Sequence, residues 1–67
     1  MAKIIANGGE VEIRLPCRLV DYLSESGWKA SQVVVELNGE VVGRSKVGAV
    51  DLSDGDRLEV IVPVAGG

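Results

Sequence analysis

The sequence predicts an α+β fold, in which one main helix packs on one face of a mixed sheet of four to five strands. Two observations support this fold class. One stretch, residues 16–27, places its apolar residues at helical spacing, whereas the other apolar runs have strand length. Three dipeptides typical of tight turns separate those runs: Asn7-Gly8, Asn38-Gly39 and Asp54-Gly55.

The first two strands are predicted on either side of the first turn dipeptide. Residues 3–6 (KIIA) precede it, and residues 10–15 (EVEIRL) follow it. In the second run the odd-numbered residues, ending with Leu15, alternate with polar ones, and this period of two places them on one strand face. The pattern therefore predicts a β-hairpin.

A short helix is predicted after this hairpin. Leu19 and Leu23 lie at helical spacing, and Pro16 suits the first helical turn. Gly27 is placed to be the C′ residue that ends the helix, which predicts a contact between Trp28 at C″ and Leu23. No Ser, Thr, Asp or Asn stands where an N-cap is wanted, so we expect a helix that depends on packing.

The remaining strands also alternate. In residues 33–37 (VVVEL) the odd-numbered side chains share one face. In residues 57–62 (RLEVIV) the even-numbered side chains, ending with Val62, share one face and are expected in the core. Residues 43–50 (GRSKVGAV) are predicted to be irregular, with one short turn of helix. If the last strand returns beside the first, the two run parallel in the middle of the sheet, which is the β-grasp arrangement.

Pro63 divides the chain into a domain and a tail. Proline has no N–H to donate to a sheet, so the final strand is expected to stop there. The prediction is a β-grasp domain over residues 1–63 and a flexible C-terminal tail over residues 64–67. The tail consists of Val64, Ala65, Gly66 and Gly67.

Composition limits the classes of function. A chain of 67 residues makes at most one small domain, and its formal net charge of −3, from 10 acidic and 7 basic residues, disfavours nucleic acid as a partner. No apolar run approaches the ~18 residues that span a bilayer, and the start of the chain lacks the features of a signal peptide. We therefore expect a cytoplasmic protein that binds neither membrane nor nucleic acid.

Histidine is absent, and Cys17 is the sole cysteine. This composition removes Ser-His and Cys-His nucleophile pairs and argues against a zinc site, since histidine and cysteine are the usual ligands. With no histidine to activate it, Cys17 is expected to be a small apolar residue at the helix start rather than a persulfide site.

Three stretches carry a resemblance to a known family. They are VVVELNGEVVGRS at 33–45, LSDGDRLEVI at 52–61 and the Gly-Gly pair at 66–67. In this order and spacing they resemble the ThiS group, the ubiquitin-like sulfur carriers of thiamine biosynthesis, and the similarity covers nearly the whole chain. The resemblance implies the ubiquitin-like β-grasp fold.

The resemblance also implies a mechanism. An E1-like adenylating enzyme, using ATP, would adenylate the carboxylate of Gly67. Sulfur relayed from cysteine, by a cysteine desulfurase or another donor, would displace AMP and leave a thiocarboxylate for thiazole synthase. Gly66, Ala65 and Val64 would be the tail that the enzymes recognise. The chain itself would be a carrier and not an enzyme, with no catalytic residue and no bound cofactor.

Some residues depart from the family pattern. Gly43 stands where proline is common, Val47 where an aromatic is common, and Arg18 where threonine usually caps the helix. The resemblance leaves open other acceptors, in molybdopterin, cysteine or tRNA-thiolation pathways, and a protein-modifier role like that of ubiquitin. A β-grasp interaction module without carrier chemistry is the alternative from a different class.

Val34 and Ile61 fall on the sheet face where their strands also place Glu36, Arg57 and Glu59. Apolar side chains on an otherwise polar face mark a binding patch, or they are ordinary scattered surface residues. The hypothesis is that this patch docks the activating enzyme, with charges at its rim setting the orientation.

Overall fold

The computed structural model describes residues 1–63 of the chain. This part contains five strands and one α-helix, joined by tight turns and single turns of 3₁₀ helix. The strands and helix are β1 (Ala2–Ala6), β2 (Gly9–Ile13), α1 (Leu19–Glu25), β3 (Val34–Leu37), β4 (Glu40–Val42) and β5 (Arg57–Ile61). The 3₁₀ turns are Ala30–Gln32 and Val47–Ala49.

The strands form one mixed sheet in the order β2-β1-β5-β3-β4. β1 and β5 run parallel in the middle of the sheet, and the other neighbouring pairs are antiparallel. With α1 packed on one face, this is the β-grasp arrangement, and the predicted fold class is confirmed. The boundary between a domain at 1–63 and a tail at 64–67 stays a prediction, because the tail lies outside the described residues.

The core lies between α1 and the sheet. Its fully buried centre consists of Ile4, Leu19, Leu23 and Leu58, one side chain from each of β1 and β5 and two from the helix. The odd-numbered residues of the 33–37 run, as predicted, turn toward this core, while Val34 faces the other way. The opposite face of the sheet is therefore left uncovered by the helix.

Two of the predicted turns adopt left-handed backbone geometry. Asn7 and Asn38 have φ values of 49° and 52°, and the glycines after them have φ values of 81° and 86°. This is the geometry of a two-residue hairpin turn, which asparagine and glycine tolerate best. In the third dipeptide only Gly55 has a positive φ.

The end of α1 confirms the predicted glycine cap. Gly27 has a φ of 88°, and its N–H donates to the carbonyl of Ser24 at 3.1 Å. The N–H of Trp28 donates to the carbonyl of Leu23 at 2.8 Å. These two bonds define a Schellman motif, and Trp28 packs half-buried against the core.

The start of α1 differs from the prediction. Pro16 lies outside the helix, which begins at Leu19 with Arg18 as an N-cap that makes no side-chain cap bond. Arg18 is extended and forms an isolated bridge with Asp51, and backbone groups of its two neighbours bond to residues 50 and 52. The Leu19 N–H donates to the Val50 carbonyl at 3.0 Å, and the Leu52 N–H donates to the Cys17 carbonyl at 2.8 Å. This long-range pairing delays the helix by one turn.

Two apolar residues predicted within strands, one of them expected in the core, are exposed. Leu15 is 42% exposed and Val62 is 52% exposed. β2 ends at Ile13 and β5 ends at Ile61, so each residue lies past the end of its strand, where neither the sheet nor α1 covers it. The final strand also stops before Pro63 rather than at it.

Candidate functional site

The uncovered face of the sheet carries the candidate site. We define the docking face as the outward side chains at the β5–β3–β4 end of the sheet: Val34, Glu36, Val41, Glu59 and Ile61. The alternation of each strand places them there, since residues two apart along a strand share a face. The face ends where the chain leaves β5 for Pro63.

The apolar part of the docking face is spread over three neighbouring strands. Val34 and Ile61 are directly opposite each other across β3 and β5, and they are 36% and 44% exposed. Val41, on the edge strand β4, is 67% exposed and pairs with Glu36. The predicted pair is therefore brought together, and the strand register adds Val41, which the sequence pattern alone did not single out.

The polar part of the docking face is acidic. Glu36 and Glu59 lie directly opposite each other across β3 and β5. Like charges in such cross-strand positions destabilise a sheet. Residues 1–63 contain one salt bridge, which joins Arg18 to Asp51 at 3.9 Å and lies away from this face. No described lysine or arginine therefore forms a salt bridge with either glutamate, although Arg57 shares this face two residues before Glu59.

Two asparagine side chains hold β5 from the neighbouring turns. The Val60 N–H donates to Asn7 Oδ1 at 2.8 Å, and the Arg57 N–H donates to Asn38 Oδ1 at 2.9 Å. Asn38 Nδ2 also donates to Asp56 Oδ1 at 3.0 Å. The turn dipeptides predicted these asparagines as turn residues, but their contacts with β5 join residues far apart in the chain.

The predicted tail residues Val64, Ala65, Gly66 and Gly67 lie outside the described residues. Their roles in recognition and modification stay predictions. Among residues 1–63, the chain approaches the tail through Ile61, Val62 and Pro63, directly beside the apolar part of the docking face.

Cys17 is half-buried at the start of the helical region. Burial, and then the negative charges of Glu25 and Asp21, raise the pKa of its thiol. Its Sγ lies 3.7 Å from the carbonyl of Arg18. A raised pKa keeps the thiol protonated at neutral pH, whereas the thiolate is the reactive form. The environment agrees with the expectation that Cys17 is not a persulfide site.

The described part of the chain has no membrane-spanning helix and no metal-binding cluster. None of its helices has the length and apolar character needed to cross a bilayer. Across residues 1–63, no three acidic or cysteine side chains come together as a cation site.

The fold defines a small ubiquitin-like protein of the β-grasp class. The ThiS family model matches residues 17–67. The chain therefore belongs to the ThiS family, and the resemblance seen in its motifs is confirmed. Members of this family are small non-catalytic sulfur carriers, in agreement with the prediction of a carrier rather than an enzyme.

Solved structures share the fold over almost the whole chain. The crystal structure of the thiamine biosynthesis protein ThiS from Geobacter metallireducens is 31% identical, with a TM-score of 0.83, over 97% of this chain and 99% of that one. An NMR solution structure of a thiamine biosynthesis protein from the same organism is 32% identical, with a TM-score of 0.78, over 97% of this chain and 87% of that one.

A curated relative contains a similar stretch within a longer protein. A thiazole synthase of Paramagnetospirillum magneticum is 34% identical over 65 residues, which are 97% of this chain. The chain spans 20% of the length of that relative.

Proposed function

We propose that this chain is a sulfur carrier of thiamine biosynthesis, whose C-terminal Gly67 is adenylated, converted to a thiocarboxylate and used by thiazole synthase. The observation that carries the proposal is the match of the ThiS family model to residues 17–67, because this range includes Gly66 and Gly67. The similarity to a stretch of a thiazole synthase supports that enzyme as the sulfur acceptor.

The chemistry needs activation because a carboxylate is a poor acyl donor. The Gly67 carboxylate would attack the α-phosphorus of ATP and release pyrophosphate, forming an acyl adenylate. A persulfide sulfur, supplied through a cysteine desulfurase or another donor, would attack the carbonyl carbon and displace AMP. A thiol would then reduce the resulting acyl disulfide and free the thiocarboxylate. The ATP belongs to the partner enzyme's reaction.

Glycine at the last two positions suits this role. All bond changes occur at the chain end inside another enzyme, so the tail must enter a narrow channel. Gly66 and Gly67 have no Cβ and adopt extended or left-handed backbone with little steric cost. A larger residue there would widen the tail and displace the carboxylate from the attacking or accepting atom.

The docking face supplies the contact that brings an E1-like adenylating enzyme to the tail. Val34, Ile61 and Val41 offer an exposed apolar centre, and Glu36 and Glu59 offer paired negative charge beside it. An enzyme surface with apolar side chains and a lysine or arginine would complement both parts, and the cation would relieve the repulsion between the glutamates. The face borders the exit of the tail, so one partner can contact both.

Intact-protein mass spectrometry tests the proposal. The protein is incubated with an E1-like adenylating enzyme, ATP and a cysteine desulfurase with cysteine, and the expected product carries sulfur in place of one oxygen at Gly67. Deletion of Gly67 is the control and should abolish the change while the folded spectrum stays the same. A wild-type chain that gains neither adenylate nor sulfur with cognate enzymes would contradict the proposal.

The acceptor needs its own assay. The thiocarboxylate form is supplied to thiazole synthase and, in parallel, to molybdopterin, cysteine and tRNA-thiolation systems. Sulfur transfer with thiazole synthase alone is the expected result. Transfer in another system, or isopeptide attachment of the chain to proteins, would contradict thiazole synthase as the acceptor. The proposed activation of Gly67 would still stand.

A further inference from the structure

Asn7 makes a contact that the proposed function does not use. Its Oδ1 accepts a hydrogen bond from the N–H of Val60 at 2.8 Å, although the two residues lie 53 positions apart in the chain. We propose that Asn7 is a positioning residue for the tail: it holds the end of β5 so that the chain leaves the sheet in one direction. The proposal rests on the proposed function, because it concerns delivery of the Gly67 carboxylate.

The end of β5 has a strand partner on one side. β3 pairs with β5 as far as Ile61. β1 pairs with it at Arg57 and Leu58, opposite Ile5 and Ala6. At Val60 the β1 side is therefore no longer lined by a paired strand, and the amide oxygen of Asn7 takes the place of the next backbone carbonyl.

Asn7 holds β5 at two successive points. Its own N–H donates to the Leu58 carbonyl at 2.9 Å, and its side chain accepts from Val60. The left-handed φ of 49° lets β1 turn back into β2 while the side chain stays beside β5. Asparagine and aspartate adopt this conformation more readily than other side-chain-bearing residues, and both carry an oxygen acceptor.

Asn38 provides a matched comparison at the other end of the same strand. It has a φ of 52° and is followed by a glycine, as Asn7 is. Its Oδ1 accepts from the Arg57 N–H at 2.9 Å. The two asparagines thus make the same type of bond to β5, but Asn7 bonds near the tail and Asn38 bonds at the strand's beginning.

Substitution by glycine removes either side chain and keeps the left-handed backbone available. In Asn7→Gly we expect kcat of adenylation to fall by about tenfold, because misplacement of a reacting group lowers the rate steeply. KM should change by less than about twofold, because the docking face is intact. In Asn38→Gly both constants should match those of the wild type, although the protein is less stable. Asn7→Asp, which keeps an oxygen acceptor, should restore most of kcat.

Amide exchange and ¹⁵N relaxation measured by NMR provide a readout that needs no enzyme. Asn7→Gly should increase the exchange and motion of the Val60, Ile61 and Val62 amides, and Asn38→Gly should leave them unchanged. Equal kcat losses in the two glycine variants, or a wild-type kcat in folded Asn7→Gly, would overturn the inference. If the wild type is not adenylated, the proposed function fails. The inference about Asn7 is overturned separately if the exchange and motion of the Val60, Ile61 and Val62 amides in Asn7→Gly equal those of the wild type.

Discussion

Val34 and Ile61 lie directly opposite each other on β3 and β5, on the sheet face that α1 leaves uncovered. Each is partly exposed, so neither is required to complete the core. Their pairing places an apolar contact beside the point where the chain leaves the sheet. The acidic pair Glu36 and Glu59 lies next to this contact.

Ile61→Asp is expected to weaken docking without unfolding the protein. A negative charge in the apolar centre must be desolvated when the enzyme binds, so KM of adenylation should rise by about 10- to 100-fold, equivalent to about 1.4–2.8 kcal/mol. Steady-state pyrophosphate release measures KM, and circular dichroism checks the fold. Leu15→Asp is the matched control, because Leu15 is similarly exposed but lies off the docking face. An unchanged KM in folded Ile61→Asp would remove the docking hypothesis.

Glu59→Lys should change stability and docking in opposite directions. The new lysine faces Glu36 across the strands and replaces repulsion by attraction, which should raise the free energy of unfolding by about 0.2–1 kcal/mol. The same change opposes the cationic partner surface proposed here, so KM should increase. Urea denaturation and adenylation kinetics measure the two effects. Glu59→Gln removes the negative charge without adding a positive one, so its KM should lie between those of the wild type and Glu59→Lys. Equal KM values in all three proteins would rule out an electrostatic role.

Leu58→Ala and Val62→Ala test where the core ends along the last strand. Leu58 is fully buried, so truncation should lower the free energy of unfolding by about 2–5 kcal/mol through lost contacts and a residual cavity. Val62 is exposed past the end of β5, and its truncation should change stability by less than about 0.5 kcal/mol. Thermal denaturation followed by circular dichroism compares them. A large loss of stability in Val62→Ala would show that this side chain packs in the core.

Cys17 should react more slowly in the folded protein than in the unfolded chain. Burial and the nearby carboxylates raise the pKa of the thiol, so the folded state binds its proton more tightly. The resulting contribution to stability is present below the ordinary thiol pKa and is lost as the pH rises through the raised folded value. Iodoacetamide labelling between neutral and alkaline pH, with and without urea, measures the shift.

A Cys17→Ser variant separates this thiol from the carrier chemistry. It should acquire sulfur at Gly67 at the wild-type rate. Loss of sulfur loading in a folded Cys17→Ser protein, or faster alkylation of the native thiol than of the unfolded one, would contradict an inert structural role.

Local signals in the sequence predicted much of the fold. The turn dipeptides and Gly27 work through the backbone conformations of a few adjacent residues, and the structure confirms the hairpin turns and the Schellman motif. The errors at Pro16, Leu15 and Val62 arise where distant segments decide the outcome. The helix start is displaced by pairing with residues 50–52, and exposure past a strand end depends on how far the sheet extends.

The candidate site, like the fold, could be predicted from local patterns only in part. Strand alternation predicted that Val34 and Ile61 face away from the core, but only the register shows that they are direct neighbours and that Glu36 faces Glu59. The bond between Asn7 and Val60 joins opposite ends of the chain, and no local pattern indicates it. The roles of the tail residues stay predictions that rest on the family.

The position of β5 between β1 and β3 has a mechanical consequence. In the proposed role, a partner that withdraws from the tail would pull along the central strand, where hydrogen bonds to both β1 and β3 resist the pull. An edge strand in the same role would have a partner on one side alone. A carrier of this kind would therefore keep its sheet intact while its end is gripped and released.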